Sequence, residues 1–129
     1  MLPEQRERNE MGELRITNEV VAVIAGLAAT EVDGVAGMSG SIAGDLTEML
    51  GRKNLAKGVK VEVGEQQVAV DLFVIVEYGV RIPDIAWKIQ ENVKRALESM
   101  TGLSVVEVNV HVQGVHIVSE EHSEETRVK

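Results

Sequence analysis

The sequence predicts an α+β domain in which a three-stranded mixed sheet carries helices packed on one face, in the order α-α-β-β-α-β. Three observations predict this class. Two runs with alternating apolar residues are joined by a short loop, an amphipathic segment follows Pro83, and a third alternating run comes behind it. We expect one domain over residues 13–118. Residues 1–12 are predicted to be a flexible arm that becomes helical if something packs on it, and residues 119–129 a disordered acidic tail.

Two helices are predicted in the first half of the chain. Thr17 is a suitable N-cap, and the helix behind it should extend to about Thr30. Its apolar residues surround much of its girth, so it should be buried within the monomer or against a partner. A second, short helix is predicted over residues 42–50, ending at Gly51.

The second half predicts a hairpin followed by a strand–helix–strand unit. Residues 59–63 and 68–77 alternate as two antiparallel strands, and residues 106–112 form the last strand. Between them a helix should begin at Pro83 and end before Gly102. If its flanking strands are neighbours, they are parallel. One packed face of this helix is predicted by the apolar positions Ile82, Ile85, Ala86, Ile89, Val93, Ala96, Leu97 and Met100.

The other face of the sheet is predicted to be open to solvent, because mainly polar residues alternate with the apolar set. These residues are Lys60, Glu62, Asp71, Glu77, Glu107, Asn109 and His111. Phe73 and Ile75 interrupt the pattern, since they point the same way as the polar residues. We therefore predict that they are interface candidates on the open face.

Composition excludes several classes of protein. The chain has 129 residues, a net charge of −8 and no cysteine, which excludes disulfides and cysteine-based metal sites and disfavours nucleic-acid binding. No apolar run is long enough to cross a bilayer, and the polar N-terminus does not resemble a signal peptide. We therefore expect a cytoplasmic protein without direct membrane insertion.

The residue pattern argues against catalysis. His111 and His116 would lie on opposite faces of a regular strand, and His122 falls in the predicted tail, so no shared metal site is expected. The carboxylates of the open face lack the cleft that acid–base catalysis needs. No G-x-S-x-G motif is present. We predict no enzyme activity, no metal and no cofactor.

A glycine-rich segment followed by basic residues leaves two interpretations open. Two overlapping G-x-x-G patterns lie between the predicted helices, and such loops can hold phosphates in KH-type modules. The candidate residues for this contact are Gly34, Gly37, Gly40, Arg52, Lys53 and Lys57. The alternative is a turn in which glycine only supplies the backbone conformation.

Trp87 is the third interface candidate. On a helical wheel it falls away from the apolar arc, beside Gln90, Lys94 and Glu98. Such a residue is either covered by a loop or offered to a partner, and tryptophan is enriched at the centres of protein interfaces.

Three stretches, taken in order, resemble the alkaline-shock-protein envelope stress response family of Gram-positive and related bacteria. They are GELRITNEVVAVIA with VDGVAG (12–25 and 32–37), GVKVEV with EYGVRIP (58–63 and 77–83), and VVEVNVHVQGV (105–115). The resemblance covers about residues 12–117.

The resemblance implies a small, non-enzymatic cytoplasmic protein tied to cell-envelope homeostasis. It also implies self-association and protein partners, including membrane-anchored ones, and it carries over no catalytic residues. One branch of the family is linked to fatty-acid synthesis through acetyl-CoA carboxylase, and VHVQGVH (110–116) resembles that branch. Three hypotheses stay open: an envelope-stress interaction protein, a regulatory partner of the carboxylase, and a KH-like nucleic-acid-binding module.

Overall fold

The computed structural model describes residues 5–40 and 55–117. Its elements are β1 (Gln5–Asn9), β2 (Gly12–Ile16), α1 (Asn18–Thr30), β3 (Val35–Met38), β4 (Val59–Val63), β5 (Gln67–Glu77), α2 (Ile82–Thr101) and β6 (Ser104–His116). The predicted α+β class is confirmed. The predicted helix at 42–50 and the tail at 119–129 lie outside the described residues.

Strand β5 is the centre of the main sheet. β4 pairs antiparallel with residues 68–72 of β5, and β3 pairs antiparallel with residues 74–76. β6 runs parallel to β5 over residues 67–77. Since β6 occupies one edge of β5 throughout, β3 and β4 lie end to end on the other edge. Within the described residues the sheet has four strands but is only three strands wide, which is close to the predicted three-stranded mixed sheet.

Strand β3 was not predicted, because its residues were assigned to a glycine-rich break between helices. Gly37 pairs with Ile75 inside the sheet, after a bulge that follows Val35. Only Gly34 and Gly40 of this segment adopt the left-handed backbone, with φ of 102° and 98°. The strand is short and contains glycine, so its local propensity is weak; pairing with β5 defines it.

Residues 5–16 form a second, two-stranded sheet. The sequence had indicated a flexible arm over residues 1–12, with a helix as its alternative when something packs on it. β1 and β2 pair antiparallel from Gln5↔Ile16 to Asn9↔Gly12. Asn9 stabilises the turn, since its Oδ1 accepts the N–H groups of Met11 at 2.8 Å and Gly12 at 3.0 Å. The predicted domain boundary at residue 13 falls inside β2, and the domain limits stay a prediction.

The start of α1 and both ends of α2 lie where the sequence indicated them. Thr17 is the N-cap of α1, and its side-chain oxygen accepts the N–H of Val20 at 3.3 Å. Pro83 lies in the first turn of α2, and Gly102 ends that helix in the left-handed conformation with φ of 76°.

The core lies between one face of the sheet and helices α1 and α2. Alternate β5 residues from Val68 to Val76 are buried there with residues of α1 and α2, as predicted. The buried residues of α2 are Ile85, Ile89, Val93 and Leu97. Ile82 and Met100 were predicted on this packed face, but they lie near the ends of the helix and are 40% and 68% exposed.

In the described part of the chain, none of the helices combines the length and the apolar character that crossing a bilayer requires.

Candidate interaction surfaces

Trp87 lies on the solvent side of α2 and is 59% exposed. It shares a stripe of the helix with Gln90 and Lys94, at positions i, i+3 and i+7. Those two side chains donate hydrogen bonds to the β6 carbonyls of Val108 at 3.0 Å and Val105 at 3.3 Å. Trp87 therefore stands beside the outer edge of β6, and no loop within residues 5–40 and 55–117 covers it.

Other side chains on the same side of α2 form hydrogen bonds with backbone groups at the outer edge of β6. The Glu98 carboxylate accepts Lys94 Nζ at 2.9 Å and the Val105 N–H at 3.0 Å. The hydrogen bond from Lys94, followed by the one from Val105, holds the pKa of Glu98 below its usual value. Side chains that bond to an exposed strand edge make it less available for pairing with another strand.

Phe73 is half-buried on the open sheet face, which we define by the outward side chains Lys60, Asp71, Phe73, Ile75, Glu77, His111 and His116. Its ring stacks on the His111 imidazole, with centroids 4.4 Å apart and planes 10° from parallel. Lys60 Nζ lies 5.6 Å from the centre of the Phe73 ring. Phe73 is thus partly covered by its polar neighbours.

Asp71 contacts the same imidazole, so Asp71, His111 and Phe73 form one group of side chains, the His111 cluster. Its Oδ1 lies 3.1 Å from His111 Nε2. The hydrogen bond from His111, then one from Asn109, and the positive charges nearby hold the pKa of Asp71 below its usual value.

The two histidines of β6 lie on the same face, so the prediction of opposite faces was wrong. His111 pairs with Phe73 and His116 with Glu77, and the register shifts between these pairs, after Val112. This bulge adds one residue to β6 and reverses the expected alternation. His116 Nδ1 lies 3.0 Å from Glu77 Oε1, which gives the open sheet face a second histidine–carboxylate pair.

These pairs do not form a metal centre. The strand partners of the two histidines are four residues apart on β5, or about 13 Å along the strand. Among residues 5–40 and 55–117, no three histidine, aspartate or glutamate side chains are grouped closely enough to hold a metal ion.

The glycine segment has a different geometry from the loop predicted for anion binding. A Cβ on Gly34 would lie 2.7 Å from Ile85 Cδ1, so this glycine allows close packing against α2. Gly37 is part of β3. Lys57 is exposed, whereas Arg52 and Lys53 lie outside the described residues. The turn interpretation accounts for Gly34, and the anion contact stays a prediction.

The three interface candidates lie on two separate surfaces, with Trp87 on one and with Phe73 and Ile75 on the other. Helix α2 packs on the buried face of the sheet, and Phe73 and Ile75 project from the opposite face. The three candidates therefore do not form one patch, because the sheet separates them.

A groove between the two helices is a further surface that the sequence analysis did not identify. Its volume is about 710 Å³, and we call it the helix groove. It is lined by Thr17, Glu19, Val20, Val23, Ile24, Leu27, Ala28 and Glu31 of α1 and its caps, and by Ala96, Ser99 and Met100 of α2. The sequence contained one signal for this groove. Apolar residues surround much of the circumference of α1, and this pattern left open whether they are buried in the monomer or against a partner.

In the described part of this α+β domain, a closed core thus carries two exposed apolar features, the Trp87 side chain and the helix groove.

Comparison with known proteins gives the family. A model of the alkaline shock protein 23 family, described as having a cell envelope-related function, matches residues 6–117. The chain belongs to this family, which confirms the resemblance to alkaline shock proteins.

Relatives in Gram-positive bacteria agree with this assignment. The chain is 42% identical to YqhY of Bacillus subtilis over 115 residues, which are 89% of this chain and 85% of YqhY. It is 38% identical to YloU of the same organism over 87% of this chain and 95% of YloU. It is also 39% identical to a stress response regulator gls24 homolog of Streptococcus pyogenes, over 91% of this chain but only 65% of that protein.

Among solved structures, the MamM C-terminal domain is similar at a TM-score of 0.46 and 19% identity, over 74% of this chain and 95% of that one. A likeness of this degree carries no functional argument.

Proposed function

We propose that this chain is a non-enzymatic interaction protein of the cell envelope, which acts through self-association and through protein partners. Its envelope-related role follows from its family. The observation that carries the proposal is the exposure of Trp87, which projects 59% of its surface to solvent from a well-packed helix. A tryptophan buries a large apolar area on association, and such residues dominate binding energies.

The open sheet face supports the proposal as a second contact. Phe73 and Ile75 lie half-buried there among paired charges. An aromatic ring bordered by satisfied polar groups resembles the centre and rim of a protein interface. Because Trp87 lies on the other side of the sheet, the two surfaces can engage different partners, or one a second copy and the other a partner protein.

The side chains able to transfer protons also favour binding over catalysis. In the pairs His111–Asp71 and His116–Glu77, the imidazole side chains are 45% and 57% exposed. Groups on an open, solvated face lack the exclusion of water that shifts catalytic pKa values and strengthens electrostatic stabilisation. We infer a cytoplasmic location, with membrane association only through a partner. The link to acetyl-CoA carboxylase stays a prediction of the resemblance.

Sedimentation velocity of the full chain tests self-association. We expect wild type to sediment above the monomer at tens of micromolar, and Trp87→Ala or Phe73→Asp to shift it towards the monomer. Tyr78→Ala is the matched control, because Tyr78 is an aromatic residue that is 74% exposed and is not among the side chains that define the proposed contacts. Circular dichroism of each variant confirms that it is folded.

Affinity purification from the native cells tests the partner contact, with the same variants as bait. A partner that wild type and Tyr78→Ala retain and Trp87→Ala loses supports the proposal. Monomers in every sample, together with identical sets of captured proteins, would contradict it.

A further inference from the structure

From the helix groove we infer a docking site for a basic amphipathic helix of a partner protein. This inference rests on the proposed function, because only an interaction protein has use for such a site. It concerns a surface distinct from Trp87 and from the open sheet face.

The groove concentrates exposed apolar side chains on one side of the molecule. Val20 and Leu27 of α1 are 46% and 48% exposed, and Met100 of α2 is 68% exposed. Half-buried Val23 and Ile24 form the floor between them. Isolated exposed apolar residues are normal on protein surfaces, but a contiguous set that lines a concave site indicates a binding surface.

The dimensions of the groove fit a helix. The α1 wall runs from Glu19 to Glu31, and the twelve rises of 1.5 Å between these residues give a length of about 18 Å, or roughly three turns of a docked helix. Its walls are helical, with backbone groups engaged in helical hydrogen bonds, so it offers no free edge to an extended strand. A helix that inserts apolar residues at positions i, i+3, i+4 and i+7 is the ligand that such a groove takes.

The charged residues of the groove indicate that the partner helix is basic. Glu19 lies at one end of the groove and Glu31 at the other, and the last turn of α1 contains no basic residue. No ion pair within the described ranges engages either of these carboxylates. Lysine or arginine beside the apolar stripe of the partner would meet these two glutamates.

The same charges disfavour two other occupants. A second copy packed through the groove about a two-fold axis would bring Glu19 of one α1 near Glu31 of the other, and each chain carries a net charge of −8. An anionic membrane surface would meet the same repulsion.

Fluorescence anisotropy with a designed peptide tests the site on the full chain. The probe is a fluorescein-labelled helix about 18 residues long, long enough to be partly helical alone, with leucine at groove-facing positions and lysine elsewhere. A scrambled peptide of the same composition has the same charge but no apolar face. We expect the amphipathic peptide to bind at least tenfold more tightly than the scrambled one.

Two matched variants separate docking in the groove from general attraction to an acidic protein. Leu27→Glu adds a negative charge inside the groove, and Val106→Glu adds the same charge at a residue of β6 that is 56% exposed. We expect Leu27→Glu to weaken binding about tenfold or more and Val106→Glu to change it less than twofold. If Leu27→Glu does not fold, Met100→Gln on the opposite wall and the double variant Glu19→Gln/Glu31→Gln take its place, each expected to weaken binding several-fold.

Accessibility of the groove in the free chain tests the alternative occupants. The chain has no cysteine, so Leu27→Cys provides a single thiol. Rapid labelling by maleimide is expected. Protection of the thiol in a monomer would mean that another part of this chain fills the groove, and crosslinking into dimers would mean that a second copy does; either result overturns the inference.

Equal binding of both peptides, equal effects of Leu27→Glu and Val106→Glu, or binding to anionic vesicles without binding to the peptide would also overturn it. These outcomes are independent of the sedimentation of Trp87 and Phe73 variants. The groove and the proposed function can therefore fail separately.

Discussion

Single side chains determine where a helix begins and which polar contacts form on the open sheet face. Thr17 begins α1 through one hydrogen bond, and His111 connects the Asp71 carboxylate with the Phe73 ring. The capping role could be predicted because it depends on neighbours three residues away. The His111 cluster could not, because it joins residues of two strands whose register was unknown.

Thr17→Ala should lower the free energy of unfolding by about 0.5–2 kcal/mol, since the N–H of Val20 loses its side-chain acceptor. Urea denaturation followed by circular dichroism measures this. Ser99→Ala is the matched control and should cause almost no loss, because Ser99 is exposed within a helix where alanine is favoured. Equal midpoints for wild type and Thr17→Ala would show that the cap does not contribute.

Asp71→Asn should change the acid dependence of stability. The pKa of Asp71 is lowered from 3.8, so the ionised carboxylate stabilises the fold above that value, and the contribution is lost as the pH falls through the lower folded-state pKa. Since the Asp71 side chain is 38% exposed, the contribution should be only about 0.2–1 kcal/mol.

Urea midpoints measured from pH 2 to pH 5 test this dependence. The difference between wild type and Asp71→Asn should be full at pH 5 and should shrink below about pH 4. Glu62→Gln, which removes a carboxylate from the same face without breaking the bond to His111, serves as the control. A difference that is constant over the whole range would contradict the coupling.

At the level of elements, irregularities of the sheet decide which side chains meet. The bulge after Val112 brings His116 to the face of His111, and the bulge after Val105 leaves Val106 56% exposed. A regular strand was the natural prediction for this run, since nothing in the alternation of apolar and polar residues marks an extra residue. The first bulge lies next to Val105, whose backbone bonds Lys94 and Glu98 of α2, and Gln113 at the second bulge accepts the Ser39 hydroxyl.

Helix α1 packs closely against the Leu55 backbone at Gly26. A Cβ at this position would lie 2.5 Å from the Leu55 carbonyl oxygen, a backbone atom. Gly26→Ala should therefore destabilise the protein by about 1–3 kcal/mol. The clash should outweigh the gain in helix propensity of about 1 kcal/mol.

Gly37→Ala is the control for this substitution, because a Cβ on Gly37 meets nothing within 4 Å and its φ is not positive. It should be neutral or slightly stabilising. Urea denaturation of both variants measures the difference. A Gly26→Ala variant more stable than wild type would show that the contact with Leu55 yields easily.

For the whole molecule, β5 holds the structure together. It pairs with three strands, and its inner residues Val68 to Val76 contact both helices through one core. The sequence predicted this strand and its apolar face, because strict alternation over a long run is the strongest strand signal. It did not predict β3 or the β1–β2 hairpin, whose short strands have little propensity of their own.

Leu72→Ala removes the middle of this core. Leu72 is fully buried, so the variant should lose about 2–5 kcal/mol of unfolding free energy. Circular dichroism and Trp87 fluorescence should give the same midpoint if the domain unfolds as one unit. Val115→Ala, at a residue 50% exposed, should lose less than about 0.5 kcal/mol. Separate midpoints for the two probes would mean that α2 is not coupled to β5.

Local patterns were enough to establish the α+β class, the β4–β5 hairpin, both ends of α2, the cap of α1 and the resemblance to an envelope-related family. Each of these depends on residues close to one another in the chain. The stack of His111 on Phe73, the separation of Trp87 from the open sheet face and the helix groove required the folded chain. They depend on strand register and on helix packing, which bring together residues that are distant in sequence and leave no local trace.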